Sequence, residues 1–101
     1  MIEIAGYRVL TACDGATAVR LFSSEIVHVV ILDYEMPGMN GGAAAAQMRQ
    51  MDGAIPLILH SGGSLTITEE ELLLFNRFIP KGNTLSVLLK AIQEVLPVSG
   101  A

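Results

Sequence analysis

Val29-Val30-Ile31-Leu32 is an unbroken apolar run introduced by His28, and Ile55 to Leu59 forms a second, with Pro56 near its start. A strand with one wet face alternates apolar and polar residues. A strand without that alternation must be covered on both faces, as at the centre of a parallel sheet with helices above and below. Two such runs, separated by a segment of helical spacing, restrict the chain to an α/β architecture.

The flanking segments fit that restriction. Tyr7 to Ala12 holds aromatic and β-branched residues between Gly6 and Asp14-Gly15 and reads as a strand. Gly15 to Ser24 places Ala18, Leu21 and Phe22 on one helical face, with Asp14 in position to cap it. Met36-Pro37-Gly38-Met39-Asn40-Gly41 is turn chemistry, since proline fixes φ while glycine and asparagine tolerate positive φ. Ala43 to Met51 is a helix by propensity, ended by Asp52-Gly53. Thr68 followed by Glu71 is a capping-box pattern that opens a helix expected to run to about Asn76. There Glu69-Glu70-Glu71 favour the helix N-terminus and do not suggest a metal site. Phe78 and Ile79 make a very short strand, and Thr84 to Leu96 a last helix stopped by Pro97. The expectation is four strands and four helices in one domain over residues 1–97, with a flexible tail at 98–101.

Ligand sites of open parallel sheets lie at the carboxyl ends of the strands. Three polar residues fall there: Asp33 after the first apolar run, Ser61 after the second by way of His60, and Lys81 after the short last strand. A carboxylate, a hydroxyl and an ammonium on successive strand ends suit phosphoryl transfer to the carboxylate, with the other two contacting the phosphoryl oxygens. His28 and His60 have no acidic or thiol neighbours at ligand spacing and read as ordinary strand residues.

Charge and composition exclude several classes. The formal net charge is −4 and the six basic residues are scattered, so no direct nucleic-acid contact is expected. Cys13 stands alone and forms no internal disulfide, and no apolar stretch is long enough to span a bilayer; the expectation is a cytoplasmic protein without membrane contact.

The motif Leu32-Asp33-Tyr34-Glu35-Met36-Pro37-Gly38-Met39-Asn40-Gly41 resembles the acceptor loop of response-regulator receiver domains, the CheY-like family of two-component systems. The resemblance extends over essentially the whole chain and implies a flavodoxin-like parallel sheet with helices on both faces. It implies that Asp33 accepts a phosphoryl group from a sensor histidine kinase or phosphotransfer protein, that Ser61 is the switch hydroxyl and Lys81 the conserved lysine, and that Phe78 is the switch aromatic. It further implies Mg²⁺, held by Asp33 and the backbone carbonyl of Glu35, and a signalling module that is not an enzyme.

The chain departs from the family pattern in specific ways. The family begins with a central strand carrying an acidic pair that holds Mg²⁺. Here Met1 to Gly6 resemble the end of the family's first helix, so that strand is missing and the metal site is expected to be weak or absent. Either Tyr7 to Ala12 pairs directly with the strand after it, or elements are exchanged in a homodimer. Lys81 is followed by Gly82 where the family has proline, the interval from Ser61 is short, and Gly62-Gly63-Ser64 opens the segment between. The alternative function is a non-phosphorylated pseudo-receiver that serves as an interaction or dimerisation module.

Overall fold

A computed structural model describes residues 2–4, 6–12, 14–34, 38–61, 67–80 and 85–95. Among them run five strands and four helices: β1 (Ile2–Ile4), β2 (Tyr7–Thr11), α1 (Gly15–Ser24), β3 (Val29–Leu32), α2 (Gly41–Met51), β4 (Leu57–Ser61), α3 (Glu69–Leu72), β5 (Arg77–Pro80) and α4 (Leu85–Val95). The strands lie in one sheet in chain order, with β2 to β5 parallel and β1 antiparallel to β2.

Alternate side chains of the strands feed two cores. On one face Leu10, Val30, Leu32 and Leu57 pack with Ala18 of α1 and Ala44, Ala45 and Met48 of α2. On the other Val9, Val29, Ile31 and Ile58 pack with Ala91 and Ile92 of α4. All four residues of β3 are buried, so the apolar run is a strand covered on both sides. The alanines keep their helices close to the sheet, because a methyl group occupies little of the space between layers.

The expected parallel sheet with helices on both faces is present, and β2 pairs directly with β3, Val9 opposite Val29 and Leu10 opposite Val30. His28 helps to fasten that pair. Its backbone N–H donates to Arg8 O at 2.9 Å, and its Nδ1 accepts from Arg8 N at 2.8 Å. His28 thus lies just before β3 and not within a strand, contrary to the sequence reading, with its Nδ1 satisfied by the backbone of β2.

Three further expectations need correction. The reading of Met1 to Gly6 as the end of a helix is overturned, since Ile2–Ile4 is a strand paired antiparallel with β2, and Gly6, just before β2, takes a φ of 84° that favours glycine. The described residues therefore form five strands, not four. The helix opened by Thr68 ends at Leu72 rather than near Asn76. Leu74 N and Phe75 N bond three residues back, a tightened turn, and the Leu74 carbonyl that a continuing helix would use is occupied by Arg49. Finally, the strand expected over Ile55 to Leu59 starts at Leu57 and runs to Ser61. Ile55 remains buried, but its N–H bonds to Asp52 O in the preceding turn, and Pro56 joins the ladder only through its carbonyl, which accepts from Val30 N.

Candidate functional site

The carboxyl ends of β3, β4 and β5 lie side by side. Leu32 pairs with Leu59, and Ser61, the last residue of β4, pairs with Pro80, the last of β5. Asp33 immediately follows β3 and is half-buried. Ser61 thus stands at a strand end beside the start of the segment carrying Lys81; Lys81 and Glu35 lie outside the described residues. Phe78 is on β5, 36% exposed.

The backbone around Asp33 is held by close packing. Gly38 takes φ 78°, the turn conformation that glycine reaches without strain. Asn40 then caps α2, its side chain accepting from Ala43 N at 2.9 Å. Gly41 N donates to Tyr34 O at 2.8 Å. A Cβ on Gly41 would lie 2.7 Å from Asp33 O and 2.8 Å from Tyr34 Cα, so only a residue without a side chain lets α2 begin this near Asp33. Across the same loop a Cβ on Gly15 would lie 2.6 Å from Met39 Cβ, which seats the start of α1 against it. Asp33 and Tyr34 are thus packed against the start of α2, and Met39 against the start of α1.

Asp14, also at this end of the sheet, is committed to capping α1. Its carboxylate accepts from Thr17 N and Thr17 Oγ1, each at 2.8 Å, and these bonds hold it below the ordinary carboxylate value. Among the described residues no group of three or more His, Cys, Asp or Glu gathers to hold a metal ion. Asp33 stands as one carboxylate at the end of β3.

Residues that sequence reasoning passed over belong to the same region. Tyr34 is 6% exposed, and its hydroxyl donates to Glu71 Oε1 at 3.2 Å, across to α3. A groove of about 400 Å³ between α2 and α3 is lined by Asn40, Gly42, Ala43, Glu70, Glu71 and Leu74, among others. The capping-box pattern at Thr68 and Glu71 was the one local signal that Glu71 has a fixed position, and it did not reveal the partner across the fold.

A family model for the response regulator receiver domain matches residues 1–93. The chain is 40% identical over 58 residues, 57% of its length, to the probable transcriptional regulator ycf27 of Guillardia theta. It is 30% identical over 91 residues, 90% of its length, to the autoinducer 1 sensor kinase/phosphatase LuxN of Vibrio campbellii. It spans 22% of the first of these proteins and 10% of the second. Among solved structures, response regulator TrrA of Thermotoga maritima, in complex with Mg²⁺ and BeF, superposes with a TM-score of 0.79 at 27% identity, covering 90% of this chain and 79% of that one. No helix among the described residues is long and apolar enough to cross a membrane.

Proposed function

The chain belongs to the response regulator receiver domain family of two-component systems, and from that premise we propose that Asp33 accepts a phosphoryl group from the phosphohistidine of a cytoplasmic sensor histidine kinase or phosphotransfer protein. A carboxylate oxygen of Asp33 attacks phosphorus, the P–N bond breaks, its electron pair returns to the imidazole, and an acyl phosphate remains. Ser61 and Lys81 contact the phosphoryl oxygens, and Phe78 responds to the change. The observation that carries this reading is the place of Asp33, directly after the doubly covered strand β3 in a loop fixed by Gly41. Receiver domains are signalling modules, and no other chemistry is assigned to this one. Mg²⁺ is expected to bind weakly, since among the described residues no three or more Asp, Glu, His or Cys side chains gather to hold it.

A second reading, an idle module that binds a protein partner or a second copy, draws on two observations. Direct pairing of β2 with β3 leaves no strand between them to carry further acidic ligands. Leu72, Leu73, Phe78 and Val87 also expose apolar surface, Leu73 to 84%. Mass spectrometry after incubation with acetyl phosphate and Mg²⁺ separates the two. Addition of one phosphoryl group that disappears in Asp33→Asn supports the acceptor; an unmodified chain that forms dimers equally well with Asp33→Asn supports the idle module.

A further inference from the structure

Glu71 Oε1 accepts three hydrogen bonds: from Thr68 N at 3.1 Å, from Thr68 Oγ1 at 3.2 Å and from Tyr34 OH at 3.2 Å. The first two belong to the capping box that starts α3, completed by Glu71 N donating to Thr68 Oγ1 at 3.1 Å. The third comes from the residue that follows Asp33. The other carboxylate oxygen, Oε2, lies over the first turn of α2, in the space a side chain on Gly42 would occupy. A carboxylate beside the first turn of a helix is favoured by the partial positive charge of the helix N-terminus. One side chain therefore touches the acceptor loop, the start of α2 and the start of α3.

The arrangement is stiff on the Asp33 side. Tyr34 is almost wholly buried, its carbonyl accepts from Gly41 N, and Gly41 has no room to yield against the Asp33 carbonyl. A shift of the Asp33 backbone must therefore move the Tyr34 ring or the start of α2, and both end on Glu71. The opposite side is soft. The three bonds on Oε1 are long and share one oxygen, and α3 has only four residues, so its stability depends heavily on its cap.

We propose that Tyr34 and Glu71 are positioning residues that couple the loop of Asp33 to α3, so that a group bound at Asp33 redistributes the bonds on Glu71 and loosens or tightens the N-terminus of that helix. The regulatory half of this proposal rests on the acceptor reading of Asp33; the coupling does not. It is a two-position element biased from one end.

Backbone amide NMR shifts of the whole chain test both halves. Thr68→Ala perturbs the cap of α3 from the side remote from Asp33. In an otherwise unchanged chain it should move the Asp33 and Tyr34 signals, and in a Tyr34→Phe background that response should fall several-fold. Tyr34→Phe keeps the buried ring, and urea unfolding checks that the chain is folded. Equal responses in the two backgrounds, or none in either, overturn the coupling. Beryllofluoride with Mg²⁺ should then move signals in both the Asp33 loop and α3 of the unchanged chain, with the α3 part lost in Tyr34→Phe. A loop response without an α3 response, or an α3 response that survives Tyr34→Phe, overturns the proposal. Absence of any response at Asp33 refutes the acceptor reading instead, while the Thr68→Ala comparison still decides the coupling.

Discussion

Replacing Arg49 tests whether the segments that precede β4 and β5 are held by a single guanidinium. Nε and Nη2 donate to Leu74 O at 3.1 and 2.9 Å, and Nη2 also donates to Asn76 Oδ1 at 2.9 Å. Nη1 donates to Gly53 O at 3.1 Å and to Ile55 O. One side chain on α2 thereby fastens the turn before β4 and the segment before β5. Asn76 extends the clasp, since its N–H donates to Leu57 O and its Oδ1 accepts from Leu57 N.

Hydrogen bonds from a charged donor contribute about 1.5–3 kcal/mol each, and a buried carbonyl left unpaired costs about 1–3 kcal/mol. The bonds to Gly53 and Asn76 are exposed, so water replaces them at little cost; those to Leu74 and Ile55 are part-buried. Burial also lowers the Arg49 pKa below its ordinary value, although Asp52 opposes the shift, so holding the charge there offsets part of the gain. The net loss for Arg49→Ala should be about 2–4 kcal/mol, a large part of the roughly 5–15 kcal/mol that stabilises a domain. Arg49→Lys keeps the charge but not the planar fork and should lose about half as much. Urea unfolding with linear extrapolation measures both. A loss below about 0.5 kcal/mol for Arg49→Ala, or a lysine variant as stable as the parent, would show that the fork does not hold these segments.

Two further outcomes follow from the packing around Asp33. Gly41→Ala brings a methyl group against backbone atoms that cannot rotate away and should cost about 1–3 kcal/mol, whereas Gly53→Ala, whose nearest neighbour is Arg49 O at 3.9 Å, should be nearly neutral; paired denaturation curves compare them, and equal losses would contradict the steric account. Asp14 has its pKa lowered in the folded chain by the Thr17 bonds, so its contribution is present above its unfolded value of about 3.8 and is lost as pH falls through the folded value. Asp14→Asn keeps a capping oxygen but cannot titrate, so the gap in thermal midpoint between parent and variant should close on acidification below pH 3.8; a gap independent of pH would show that the carboxylate charge contributes nothing.

Features set by neighbouring residues were legible without the fold. The Gly15–Ser24 helix and its Asp14 cap, the box at Thr68 and Glu71, and the buried character of Val29–Leu32 all stand as read. Each depends on contacts within about one turn of helix or on a burial pattern written in consecutive side chains. The place of Asp33 directly after β3 was legible in the same way, from the apolar run that precedes it.

What escaped depends on partners distant in the chain. Three residues such as Ile2–Ile4 carry no period of their own and become a strand because β2 offers them a ladder. The end of α3 is decided by Arg49, 25 residues before the Leu74 carbonyl it holds. Tyr34 meets Glu71 across 37 residues. The sequence alone determined the family, the central strands and the position of Asp33, because local pattern encodes them. Only the tertiary structure decided which strand lies beside β3, where α3 stops and what Tyr34 touches, because those outcomes depend on which distant donors and acceptors the packed sheet brings within hydrogen-bonding reach.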